Sequence, residues 1–266
     1  MPDFALWIFR KIAWAFWWIK PKYVRTIHNT QLWNSWKPLG SIIESYYIKH
    51  KCNVAISSST KESYETAYGD SLPIIFNGLE EVPQKKFEGL VKGKINVLFA
   101  GRFCPEKGID TLLNVLKTMQ DSEKYHFHIV GAGPYANEIR DFAKHNNRIS
   151  VYDKIYGLSQ YIGSFDFLFM PSRFEGLPFL SIEASLAHTP TIINRSPGLK
   201  DTFPTDWPLA VDNNSVEAFV DIFRNKLVDI NYEQLADIAY KYAKDNFSIG
   251  KMQREYEAVY NFKIKM

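Results

Sequence analysis

Residues 95–116 read INVLFAGRFCPEKGIDTLLNVL. The first six residues, apolar except for Asn96, are closed by Gly101. Ile109, Leu112, Leu113 and Leu116 then recur at helical spacing, so the stretch predicts a strand, a glycine turn and a helix. The same unit returns twice. Residues 127–130 end at Gly131, ahead of Ala136, Ile139, Phe142 and Ala143. Residues 165–170 end at Pro171, ahead of Phe179, Ile182 and Leu186 on one helix face. A further strand is predicted over 191–194, and helices over about 215–228, 232–245 and 250–262. Short β-rich runs alternating with helices are the pattern of an α/β fold, a parallel sheet wrapped by helices.

Residues 1–90 repeat the pattern less fully. The periodicity predicts an aromatic helix over 3–19, strands over 23–27, 53–56 and 72–76, and helices over 38–50 and 60–68. Asn77-Gly78 is a turn signal, and the polar stretch 80–94 reads as a linker. The expected organisation is two Rossmann-like parallel-sheet domains, 1–85 and 86–266, with the last helix, about 250–262, packing back on the first.

Composition narrows the function classes. With 46% hydrophobic and 23% charged residues, the 266-residue chain is neither disordered nor collagen-like. Its 32 basic residues are interspersed with 29 acidic ones for a net charge of +3, which gives no reason to expect a nucleic-acid partner. Cys52 and Cys104 form neither a disulfide framework nor a metal-ligand spacing, so a reducing, cytoplasmic setting is expected. No stretch reaches the roughly 20 apolar residues of a membrane span, and the amino terminus lacks the basic flank and small residues of a secretory signal.

In an open parallel sheet, ligands bind beyond the carboxyl ends of the strands. Three loops start there: Gly101-Arg102 with Lys107-Gly108, then Gly131-Ala132-Gly133-Pro134, then 172–178 with Glu175, Gly176 and Leu177. Arg102 and Lys107 are spaced to reach a common anion, for which a diphosphate is the natural candidate. Backbone N–H groups of the helix start near Leu177 and Phe179 add positive potential. By itself such a pair also fits two solvated charges at a helix start. Glu175 and Glu183 are eight positions apart, about 12 Å along a helix, which suits an elongated polar ligand better than a close carboxylate pair. Surface charge is the plain alternative, weakened for Glu183 by the apolar run between them.

Taken together, NVLFAGRFCPEKGIDTLL (96–113), FHIVGAGPYANEI (127–139) and MPSRFEGLPFLSIEASLAHTPTI (170–192) resemble the type B glycosyltransferases of family 4. VRTIHN (24–29), VAISSST (54–60) and IIFNGLE (74–80) extend the resemblance over nearly the whole chain from Val24 onward. It implies a retaining transfer, without metal or cofactor, from a UDP- or GDP-type sugar to a polysaccharide or lipid-linked glycan, as in lipopolysaccharide, capsule or exopolysaccharide synthesis. Arg102 and Lys107 would bind the donor diphosphate, Glu175 the sugar and Glu183 the ribose. His28 would face the sugar, Gly131 and Gly133 would lie beside the base, and Gly101, Gly176, Leu177 and Phe179 would complete the donor contacts. No Asp-x-Asp occurs in the sequence, and Pro197-Gly198 stands where the family often has two glycines. Two complete domains of this kind need about 300 residues, so the first is expected to be shortened. That leaves a truncated reading frame, a partner chain that completes the domain, or a donor-binding remnant without turnover.

Three rival readings come from local patterns. Gly131 to Ala136 fits G-x-G-x-x-A, with Asp153 about 20 residues on, as in NAD enzymes. That reading leaves Arg102, Lys107 and both glutamates without a task. His126 and His128 alternate as metal ligands can, but have no third ligand nearby, so one face of a strand is the preferred place for them. The first helix, with Trp7, Trp14, Trp17 and Trp18, fits either a membrane surface or the core of the first domain, and the core is favoured.

Overall fold

The computed structural model describes residues 24–28 and 37–265. The aromatic helix expected over 3–19, with any membrane contact it makes, lies outside the described residues, as does the start of the strand expected from Tyr23. The chain divides into two compact units, residues up to Asn77 together with those from Ile249 onward, and Gly78–Ser248.

In the first unit, β1 (Arg25–Ile27) is followed by α1 (Lys37–Lys49), β2 (Asn53–Ala55) and α2 (Ser58–Tyr68), and the two strands pair in parallel. Ser57 starts α2 by accepting a hydrogen bond from the Thr60 amide at 3.1 Å, the role for which serine is favoured at this position. The buried Arg25 guanidinium meets Glu44 of α1 through two hydrogen bonds of 2.6 and 2.9 Å, and the Tyr64 hydroxyl of α2 donates to the same carboxylate at 2.6 Å. These fork contacts tie β1 to both helices. The third strand expected over 72–76 is a correction. Only one bridge forms, Ala55 to Ile74, flanked by hydrogen bonds from Ala55 N to Pro73 O and from Ile75 N to Ala55 O. Pro73 has no N–H to extend such a ladder.

The second unit is a six-stranded parallel sheet of β3 (Ile95–Ala100), β4 (Tyr125–Val130), β5 (Ile149–Tyr152), β6 (Phe167–Met170), β7 (Thr191–Asn194) and β8 (Ala210–Val211). Their spatial order is β5-β4-β3-β6-β7-β8. Helices α3 (Ile109–Thr118), α4 (Ala136–Lys144), α5 (Phe179–Leu186), α6 (Val216–Arg224) and α7 (Tyr232–Phe247) complete the unit. Covering both faces is what makes the central strands near-continuous apolar runs. Val97, Phe127, Leu168 and Ile192 share one core with Trp207, Phe219 and Phe223, and burying each such side chain contributes roughly 1.5–3 kcal/mol. The helix expected over 215–228 ends at Arg224, and a separate 3-10 turn follows at Lys226–Val228. Strands β5 and β8 add to those that the sequence pattern predicts. From Ser248 the chain passes to α8 (Ile249–Lys265), which belongs to the first unit, where the Tyr256 hydroxyl meets Thr26 Oγ1 at 2.8 Å.

The two histidines of β4 share a face. His126 Nε2 meets Ser150 Oγ at 2.9 Å, and His128 Nε2 meets Asn96 Oδ1 at 2.9 Å. Since a carbonyl oxygen only accepts, His128 carries its proton on Nε2. Burial pushes its pKa down to about 4, with the neighbouring His126 adding to the effect.

Candidate functional site

The sheet runs outward from β3 in two directions: β3 to β4 to β5, then back across β3 to β6, β7 and β8. A crevice opens where such an order reverses, outside the carboxyl ends of the two diverging strands. Here those strands are β3 and β6, whose ends lead into loops 101–108 and 171–178. A cavity of about 340 Å³ lies between them. Gly101, Lys107, Glu175, Leu177 and Phe179 line it, over a floor that includes Phe99 and Phe169.

Within the cavity the Lys107 ammonium donates to both Glu175 oxygens, at 2.6 and 2.7 Å. The carboxylate is 8% exposed and the lysine side chain 32%. Lys107 sits at the end of a 3-10 turn, Pro105–Lys107. Glu175 is fixed from behind: its amide donates to Pro197 O at 3.1 Å, and Gly198, at φ +77°, lies so close that a Cβ there would be 2.2 Å from the Glu175 carbonyl. The loop that departs from the two-glycine pattern thus keeps a glycine where no side chain fits. No side chain caps the amino end of α5, which starts at Phe179 on the cavity wall, and the uncovered N–H groups there favour an anion.

The remaining candidates lie outside this lining. Arg102 is exposed, outside the cavity lining, with its Nε donating to Cys104 Sγ at 3.4 Å. Glu183 lies on α5, half-buried and away from the lining, and burial pushes its carboxyl up from the usual carboxylate range. Because Glu175 stands in the loop before α5, the helical rise of eight steps does not describe the Glu175–Glu183 interval. Gly131 and Gly133 press their loop against the first one, since a Cβ on Gly131 would be 1.9 Å from Gly101 O and one on Gly133 2.5 Å from Phe103 O. These glycines thus serve contact between two chain segments, and Asp153 of the rival dinucleotide reading is ion-paired with Arg140. Gly176 lies beside Glu175, with its carbonyl against Gly198. His28 is exposed at the end of β1 in the first unit. The structure therefore brings Gly101, Lys107, Glu175, Leu177 and Phe179 into one cavity and leaves Arg102, Glu183, Gly131, Gly133, Gly176 and His28 out of its lining. Ser172 is also on the wall, a place that its residue type alone does not signal.

A parallel α/β unit with a paired lysine and carboxylate at its switch point has the fold of the type B glycosyltransferases. The family described as Glycosyl transferases group 1 matches residues 94–229, and the chain belongs to it. An uncharacterized 41.2 kDa protein in the cps region of Klebsiella pneumoniae is 28% identical over 84% of this chain and 62% of its own length. The O-antigen biosynthesis glycosyltransferase WclY of Escherichia coli is 22% identical over 91% of this chain and 72% of its own. Among solved structures, Anabaena Alr3699/HepE in complex with UDP shares the fold with a TM-score of 0.74 at 14% identity, covering 90% of this chain and 72% of that one. The chain spans 46–62% of the length of three of the curated relatives it matches. Among the described residues, no helix is long and apolar enough to cross a membrane.

Proposed function

We propose that the crevice between β3 and β6 binds a nucleoside diphosphate sugar and that the protein transfers the sugar to a polysaccharide or lipid-linked glycan in the cytoplasm, at the inner face of the membrane. The observation that carries this reading is the meeting of Lys107 and Glu175 in one cavity beside the uncapped start of α5. A lysine and a helix amino end suit a departing diphosphate, because both put positive potential where negative charge develops. Arg102, on the same loop as Lys107, adds a planar fork for phosphate oxygens. Glu175 has the acceptor oxygens to hold sugar hydroxyl groups. The family membership and the glycan-synthesis names of relatives such as WclY support the same class.

In this proposal the anomeric configuration is kept and no metal takes part, in line with the family resemblance and with the lack of an Asp-x-Asp in the sequence. UDP or GDP carries the sugar, and Glu183 holds the ribose. The experiment is incubation of the purified chain with UDP- and GDP-linked sugars and an extract of lipid-linked glycans, reading sugar transfer and donor hydrolysis. Activity lost in Glu175→Ala supports the proposal, and full activity in that variant removes it. Nucleotide binding without transfer or hydrolysis would identify a non-catalytic binding subunit, or a chain that turns over only with a partner.

A further inference from the structure

The two loops that hold Lys107 and Glu175 are joined by Arg173, a residue of the second loop. Arg173 Nη1 donates to Pro105 O at 2.6 Å and to Asp110 Oδ1 at 2.6 Å. Its Nη2 donates to Asp110 Oδ2 at 2.7 Å and to Thr111 Oγ1 at 3.3 Å. The Arg173 amide also donates to Glu106 O at 2.9 Å. Every acceptor lies within four residues of Lys107, while Arg173 itself is two residues from Glu175.

A ring of hydrogen bonds closes behind this contact. Asn214 Nδ2 donates to Thr111 Oγ1 at 2.7 Å, and the Asn214 amide donates to Asn194 Oδ1 at 2.9 Å. Asn194 Nδ2 then donates to Ser172 O at 3.0 Å, next to Arg173. The first turn of α3, the loop after β6, the end of β7 and the segment after β8 are thereby linked. The loops are also in close contact, since a Cβ on Gly108 would be 1.9 Å from Pro171 O.

We propose that Arg173, through its fork on Asp110 and the Pro105 carbonyl, is a positioning residue that sets the separation of Lys107 and Glu175 and so tunes the site for a nucleoside diphosphate. The donor half of this statement rests on the function proposed above. The Arg173 side chain is 41% exposed, so the pair adds little to global stability, and its effect is on geometry. A site of this kind loses much of its effect when a group is displaced by about 1 Å. The Arg173 guanidinium holds the Asp110 carboxyl below the usual carboxylate range, which keeps the fork charged. Lysine offers one mobile donor centre where the contact uses two nitrogens.

The test compares Arg173→Ala, Arg173→Lys and Asp110→Asn in the full chain with Arg224→Ala, which removes a similarly exposed arginine, paired with Asp121, elsewhere in the same unit. Hydrogen exchange of the amides of 104, 106–108 and 172–177 reads the clamp, and calorimetric titration with UDP and with GDP reads its consequence. In Arg173→Ala both loops should exchange roughly tenfold faster and nucleotide affinity should fall roughly tenfold, with Arg173→Lys and Asp110→Asn in between and Arg224→Ala unchanged. The melting temperatures of Arg173→Ala and Arg224→Ala should fall by similar amounts, a readout that separates positioning from plain loss of stability. Unchanged exchange in both loops of Arg173→Ala overturns the proposal. Wild-type protein that binds neither nucleotide overturns the donor reading, while the exchange arm still decides the clamp.

Discussion

Replacing Glu175 with glutamine should tighten the binding of UDP or GDP while abolishing sugar transfer. The Lys107 ammonium is 2.6 and 2.7 Å from the two carboxylate oxygens. At an effective dielectric constant of about 20 that separation corresponds to about 6 kcal/mol of gross attraction. Lost hydration cancels most of it, leaving about 1–2 kcal/mol for a partly buried pair. A diphosphate that recruits Lys107 competes with this contact. Glu175→Gln removes the competitor's charge and keeps its shape, so affinity should rise about 5- to 30-fold. The fold should lose only about 1 kcal/mol, because Lys107, 32% exposed, still reaches water. The reverse change is not symmetric. Lys107→Met strands a carboxylate that is only 8% exposed, which should cost about 3 kcal/mol and weaken nucleotide binding. Calorimetric titration with UDP and GDP, alongside release of labelled sugar, measures both effects. Nucleotide affinity in Glu175→Gln equal to or below that of the wild type would refute the competition.

Two further outcomes follow from the same geometry. Gly198→Ala puts a Cβ 2.2 Å from the Glu175 carbonyl at φ +77°, so it should cost about 2 kcal/mol or more and lower nucleotide affinity; unchanged melting and binding would show that the loop yields freely. His128 binds its proton less readily when folded, with a pKa pushed down from 6.5 to about 4. Its contribution is therefore fully present above pH 6.5 and is lost as pH falls towards 4, by about 3 kcal/mol in all. In urea unfolding, the stability difference between wild type and His128→Gln should change by about that much between pH 7 and pH 4, and a constant difference would count against the reading.

The central strands were legible because both their faces are buried. A six-residue run, apolar but for Asn96 and closed by glycine, marks β3, and largely apolar runs mark β4, β6 and β7. β5 is a half-exposed edge strand and β8 has two residues, so neither leaves a pattern that hydropathy can detect. The segment 72–76 is apolar enough to read as a strand, yet Pro73 and a single bridge to Ala55 leave it irregular. For the site, residue types were legible and their partnerships were not. Lys107 and Glu175 are 68 positions apart in the chain and meet because β6 returns to the free side of β3. No local pattern encodes that return. Arg173 illustrates the same limit: it looks like one more surface cation until the fold sets Asp110 and Pro105 opposite it.

The exposures of the central pair also assign its parts. Glu175 is held by its own backbone, through the Pro197 carbonyl and the tight approach of Gly198, and its carboxylate is nearly buried. Lys107 stands on a flexible four-carbon stem and is the more exposed of the two. An anion entering the cavity is therefore met by a fixed carboxylate and a mobile ammonium, so the lysine can change partners while Glu175 stays in place. Arg173 makes this arrangement coherent, because it links the bases of both loops beneath a lysine side chain that is 32% exposed. It follows that Lys107→Arg, with the same charge on a wider, planar head, should bind nucleotide less well than the wild type in the same titration, because that head does not fit between Glu175 and the incoming phosphate as a compact ammonium does.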